Sequence, residues 1–126
     1  MIAYASRTGN VQYIVSQLQA DNIEITENLM LCQPFLLITY TDQLGEVPIK
    51  VSQFLKNNYS WCQGVVASGN LNFGSQYFGG AGDKIANTYN IPLVRKVDLR
   101  GFKADYKAIQ QFYETRVIHE NVLEIK

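Results

Sequence analysis

Apolar positions along the chain follow two spacings in turn. Met1 to Ala5 is a short apolar run and reads as a buried strand. Val11, Ile14, Val15 and Leu18 then fall at i, i+3, i+4 and i+7, one face of a helix, with Asn10 placed to cap it. Ile23 to Glu27 alternates apolar and polar residues as an edge strand does. Phe35 to Tyr40 is almost continuously apolar, the pattern of a central parallel strand covered on both faces. Pro48 suits a first helical turn, and Val51, Phe54 and Leu55 give that helix its apolar face. Gly64 to Ser68 reads as another buried strand, and Gly82, Ile85, Ala86 and Tyr89 recur at helical spacing. Leu93 to Leu99 is a more polar strand, and Phe102, Tyr106, Ile109 and Tyr113 mark a last helix. In the tail from Thr115 to Lys126, Val122, Leu123 and Ile125 either extend that helix or pack on the surface.

Five strands alternating with helices predict an α/β fold: a parallel sheet with helices on both faces, built as one domain over residues 1–126. Only residues 28–34 separate the second strand from the third, whereas a parallel crossover normally takes about a dozen residues or more. Either a short helix lies there or the connection is irregular. A sheet of order 2-1-3-4-5 binds ligands beyond the carboxyl ends of its strands, where the order reverses. That edge gathers the loops after strands one, three and four.

Composition narrows the function classes. Eleven basic and eleven acidic residues cancel, so no global field attracts nucleic acid or an anionic membrane, and Lys and Arg form no run. Cys32 and Cys62 have no CxxC spacing and are expected to be free, part-buried thiols. The N-terminus lacks signal-peptide character, and no apolar run approaches the roughly 20 residues that span a bilayer. A cytoplasmic protein is expected. No metal site is expected, and no side chain stands out as a general acid, base or nucleophile. The single histidine, His119, reads as a surface residue, and Asp42 and Glu46 as solvated loop charges.

The loops carry the candidate chemistry. Ser6-Arg7-Thr8-Gly9-Asn10 combines hydroxyls, a glycine and an immediate helix start, which suits an anion held by free backbone N–H groups and the helix dipole. It is not a Walker A loop, and Gly79-Gly80-Ala81-Gly82 lacks the spacing of a dinucleotide fingerprint. Taken alone, Ser6–Asn10 is equally an ordinary capped turn. The stretch Ser68-Gly69-Asn70-Leu71-Asn72-Phe73-Gly74, followed by Tyr77 and Phe78, adds amides and aromatics suited to a flat ligand, although each aromatic alone could belong to the core. A phosphorylated planar ligand fits both loops, and FMN fits that description best.

At these residues the chain closely resembles the NrdI family, flavodoxin-like proteins that accompany class Ib ribonucleotide reductase. Ser6 to Val11 is similar to that family's FMN phosphate loop, and Leu37 to Thr41 with Gly45-Glu46-Val47-Pro48 to its second flavin loop. The most specific stretch runs from Ala67 to Asn70 and on through Asn72-Phe73-Gly74. Ala81 to Ile85, Tyr89 to Leu93 and Leu99-Arg100-Gly101 follow in order, so the likeness covers roughly residues 2 to 112.

The resemblance implies a flavodoxin-like three-layer sandwich that binds FMN and takes electrons from a flavin reductase or other donor. It also implies that the protein reacts with molecular oxygen and delivers superoxide or peroxide to the small subunit NrdF. There the oxidant assembles a dimanganese–tyrosyl radical cofactor whose metals belong to the partner. By the same carry-over Ser6, Thr8, Gly9, Asn10 and Val11, with Arg7, would hold the phosphate. Thr41, Asp42, Gln43, Leu44 and Gly45 would border the flavin N5 edge. Gly69, Asn70, Asn72, Phe73 and Gly74 would wrap its other side, with Tyr40, Tyr77 and Phe78 as further contacts.

Two positions depart from the family pattern. Gln43 stands where glycine is usual in a loop whose peptide turns over on reduction, and Leu71 stands where the family usually carries Arg. Glycine tolerates positive φ, whereas other L-residues lose roughly 1–2 kcal/mol in the left-handed region. The rival readings are a general flavodoxin-type electron carrier, which is usually strongly acidic, and a binding module that keeps the fold without the flavin.

Overall fold

The structure is a computed structural model and describes residues 1–118. The expectations for His119 and for Val122, Leu123 and Ile125 in the tail lie outside the described residues.

The apolar run Phe35–Tyr40 forms β3, and its alternation divides the core. Phe35 and Leu37 point to one side of the sheet, Leu36 and Ile38 to the other, and all four are fully buried. Each such side chain contributes roughly 1.5–3 kcal/mol on burial, well above an exposed ion pair. Two-sided burial of this strand is therefore what makes the molecule three-layered. Its neighbours are β1 (Ile2–Tyr4) and β4 (Cys62–Gly69), and β2 (Asn22–Glu24) and β5 (Leu93–Asp98) lie at the edges. All pairs are parallel and the order is β2-β1-β3-β4-β5, as predicted.

On one face, Phe35, Leu37, Ala3 and Val65 meet Phe54 and Leu55 of α2 (Ile49–Asn58) and Ile85 of α3 (Gly80–Tyr89). On the other, Leu36, Ile38, Ile2 and Val66 meet Val11 and Ile14 of α1 (Asn10–Ser16) and Ile109 of α4 (Lys103–Phe112). A π-helical stretch, Tyr113–Ile118, continues α4 and buries Tyr113 and Val117 on the same side.

The short link between β2 and β3 is irregular and holds no helix. Ile25 and Leu31 pack with Phe54 and Leu55, so the link itself covers part of the α2 side. Its polar groups depend on Asn58, which is fully buried at the end of α2. The Asn58 Oδ1 accepts from the Leu31 N–H at 2.8 Å, and its Nδ2 donates to Leu29 O at 2.9 Å and Phe54 O at 2.8 Å. One side chain thus satisfies buried backbone groups that a crossover helix would satisfy internally.

Three local expectations are corrected. Asn10 is the first helical residue, not the cap: Gly9 occupies that position with φ 94°, and Ser6 Oγ accepts from the Gln12 N–H at 3.3 Å. Phe102 precedes α4 and is 73% exposed, so it does not belong to the buried face. There the Asp105 carboxylate ties down the helix start, accepting from the Phe102 N–H at 2.8 Å and from Arg95 Nε at 2.7 Å. Finally, Cys32 is exposed while Cys62 is buried, and burial pushes the Cys62 thiol up to about 12, so it stays protonated.

Candidate functional site

The carboxyl ends of β1, β3, β4 and β5 open onto one cleft of about 410 Å³, within the range of roughly 300–1,000 Å³ usual for small-molecule sites. The loop after β1 forms one wall, with Ser6, Arg7, Thr8, Asn10 and Val11 lining it. Gly9 does not line the cleft. Its left-handed backbone turns the chain into α1, and no atom lies within 4 Å of where its Cβ would stand, so the requirement is conformational rather than spatial. Of the first-turn N–H groups of α1, that of Gln12 donates to Ser6 Oγ, and those of Asn10 and Val11 have no intrahelical acceptor and are available to an anion.

The loop after β3 supplies Tyr40, Thr41, Asp42, Gln43 and Leu44. It closes as a tight turn in which the Asp42 N–H donates to Glu46 O at 2.8 Å and the Glu46 N–H donates to Asp42 O at 2.7 Å. Inside this turn Gln43 has φ 40° and Gly45 φ 82°. Gly45 sits behind the cleft, against the start of α3: a Cβ on Gly80 would lie 2.8 Å from both the Cα and the carbonyl oxygen of Gly45. Outside the turn, Glu46 Oε1 pairs with Lys84 Nζ at 3.0 Å and Asp42 Oδ1 with Arg7 Nη1 at 2.8 Å. The Arg7 guanidinium also stands 5.2 Å from the centre of the Tyr40 ring.

From the loop after β4, Gly69, Asn70, Phe73 and Tyr77 reach the cleft. Asn70 Oδ1 accepts from the Asn72 N–H at 2.9 Å and caps a 3-10 turn over Leu71–Phe73, which leaves Phe73 63% exposed at the rim. Asn72, Gly74 and Phe78 do not line it. Asn72 serves that turn, Gly74 leaves it with φ 99°, and Phe78 packs beside Gly69. Leu71, exposed on the outside, donates its N–H to Asp98 Oδ1 at 3.1 Å.

Two lining residues, Ser68 at the head of the third loop and Leu99, have no contact role in the sequence pattern. Leu99 follows β5 with φ 55° and is fixed there by two bonds: Ser68 Oγ donates to Leu99 O at 2.5 Å, and the Leu99 N–H donates to Gly69 O at 2.7 Å. Leu99 stands beyond the carboxyl end of β5, where the strand-end rule places ligands, and Ser68 lies at the carboxyl end of β4 itself. Among the described residues, Gln43, Asn90 and Leu99 are the non-glycine residues with positive φ. Asn90 merely caps α3, but Gln43 and Leu99 both line the cleft. Strain of this kind collects at functional sites.

One polar atom is left over. The hydroxyl of Thr41 is buried without a hydrogen-bond partner, alone in this respect among the side-chain atoms of the described residues, and Thr41 lines the cleft. A buried hydroxyl without a partner costs free energy, which a bound polar ligand would recover. No group of three or more potential metal ligands occurs among the described residues, and none of their helices is long and apolar enough to cross a membrane.

A doubly wound sheet of this order, with its cleft at the switch point, defines a flavodoxin-like protein. Two flavodoxins of known structure share the fold. One is a short-chain flavodoxin associated with a bacterial microcompartment (TM-score 0.65, 20% identity, 90% of this chain and 92% of that one). The other is the flavodoxin of Streptococcus pneumonia TIGR4 (TM-score 0.63, 24% identity, 90% and 93%). Residues 2–111 match the family model described as NrdI Flavodoxin like, and the chain belongs to that family. It is 40% identical over 114 residues to the SPbeta prophage-derived protein NrdI of Bacillus subtilis (strain 168), with 87% of this chain and 88% of the relative covered. The phage protein nrdI of Bacillus phage SPbeta matches with the same figures.

Proposed function

We propose that the cleft binds FMN and that the reduced protein supplies superoxide or peroxide to NrdF, the small subunit of class Ib ribonucleotide reductase, in the cytoplasm. The observation that carries the cofactor reading is the unpartnered Thr41 hydroxyl in a cleft walled by a helix start on one side and aromatic rings on the other. FMN, when bound, supplies the redox chemistry. The chain's own residues bind and orient it. Ser6, Thr8 and the N–H groups of Asn10 and Val11 would hold the phosphate, and Arg7 adds positive charge at that end. The backbone from Thr41 to Leu44 would border the isoalloxazine, and Asn70, Phe73 and Tyr77 would cover its other side. The delivery of an oxidant to NrdF rests on membership of the family, and electrons would come from a flavin reductase or another donor.

The test has two stages. The purified protein should be yellow, with an absorbance band in the blue; a colourless protein that takes up no added FMN would remove the cofactor reading. Reduced protein, oxygen and manganese-loaded NrdF should together generate a tyrosyl radical by electron paramagnetic resonance. No radical, with electron transfer to other acceptors intact, would leave a general flavodoxin-type carrier.

A further inference from the structure

We propose that Asp42 is a positioning residue that latches the second loop to the first and holds Gln43 in its left-handed turn. A single carboxylate oxygen makes both contacts. Asp42 Oδ1 accepts from the Gln43 N–H at 3.1 Å and from Arg7 Nη1 at 2.8 Å. The first contact acts on the strained residue itself, since φ 40° is a conformation that glutamine enters only at a cost. The second reaches across the cleft to the loop that starts α1, and Arg7 is in turn placed over Tyr40. Two walls of the cleft thereby share one acceptor.

The ion pair by itself contributes little. The Arg7 side chain is 57% exposed and that of Asp42 29%, so water and salt screen it. The bond accepted from the Gln43 N–H carries more of the weight, because it acts on the strained residue directly and needs only an acceptor oxygen, and Arg7 serves to aim that oxygen. This predicts an order among variants that a plain surface ion pair would not give. Removing Asp42 should loosen the turn more than removing Arg7. Asp42→Asn, which keeps the acceptor and loses the charge, should stay near the wild type. Gln43→Gly should make the latch dispensable.

Residue-resolved amide hydrogen exchange on the ligand-free protein tests this. At Gln43, Asp42→Ala should speed exchange by on the order of 3- to 10-fold, Arg7→Ala by less, and Asp42→Asn by less than about 2-fold. Unchanged exchange at Gln43 in Asp42→Ala, or an increase spread evenly over the sheet, would overturn the proposal. If Asp42→Ala does not fold, the comparison passes to Asp42→Ala/Gln43→Gly, which removes the strain along with the latch. That double variant should fold, and its failure would count against the latch.

A second measurement rests on the FMN reading: the dissociation constant should rise about 3- to 10-fold in Asp42→Ala and return toward the wild type in the double variant. The two readings fail separately. A wild type that binds no FMN overturns the cofactor while the exchange result stands. Normal FMN binding with unchanged exchange overturns the latch alone.

Discussion

The loops after β1 and β3 face each other across one cleft, yet they reach their shapes by different means. The first spends its positive φ on Gly9, where nothing crowds the position, and then runs directly into a helix. The second closes on itself between Asp42 and Glu46 and places a positive φ on Gln43, which is not a glycine. It therefore needs support beyond a turn residue, from Asp42 within the loop and, from outside it, from Arg7, Lys84 and the Gly45–Gly80 contact. An anchoring loop can be shaped by local sequence, because a glycine and a helix start suffice. A strained loop has to be held by its neighbours. The second loop should therefore respond to changes made at a distance, and the first only to changes within itself.

Substitutions at four positions can break or sharpen that contrast. Gly80→Val should have the largest effect. The new side chain meets the Gly45 backbone rather than a movable side chain, so the second loop must lift, at a cost of about 1–3 kcal/mol in denaturant unfolding. Wild-type stability would mean that the second loop does not rest on α3. Gly9→Ala should cost about 1–2 kcal/mol from backbone strain alone, and Gly9→Asn less, because asparagine accepts the left-handed region more readily. Equal losses for the two would point to a steric cause instead.

Gln43→Gly should stabilise, but by less than about 1 kcal/mol, since relief of strain is partly offset by glycine's greater freedom when unfolded. A loss of stability would show that Gln43 makes a contact outweighing its strain. Arg7→Gln should change stability by less than about 1 kcal/mol, and the difference should fade as salt approaches about 1 M. A large, salt-independent loss would make the exposed pair a principal support of the second loop rather than an aid to Asp42.

Much of this was legible along the chain, and what was not has physical causes. The uninterrupted apolar run of β3 announced a strand buried on both faces, the alternation of elements announced a parallel sheet, and the resemblance to flavodoxin-like proteins supplied its order and the cleft that goes with it. The same logic placed Ser6, Thr41 and Asn70 at one edge. The gap between β2 and β3 was visible as a problem, but its solution lay in Asn58, in a helix that follows β3 and thus far along the chain from the groups it satisfies. An asparagine that mends a distant loop looks, in sequence, like any helix-terminal asparagine. Phe102 misled because it continues a helical spacing although the helix starts one residue later, where Asp105 fastens it. Ser68 and Leu99 stood in stretches the sequence singled out, but neither residue type marked them as lining a cleft. They belong to the cleft through the bonds that pin a left-handed leucine beside the end of β4.

The sequence by itself determined the strands, the helices and the layers, because these depend on period and burial, which are properties of neighbouring residues; the sheet order came with the family resemblance. The same resemblance marked position 43 as one where glycine is usual. Only the tertiary structure decided that Gln43 adopts the left-handed turn and what holds it there. Strain is local, but its support comes from a carboxylate aimed by an arginine 35 residues away in sequence and a backbone packed against another helix. Such contacts have no period, so folding is what reveals them.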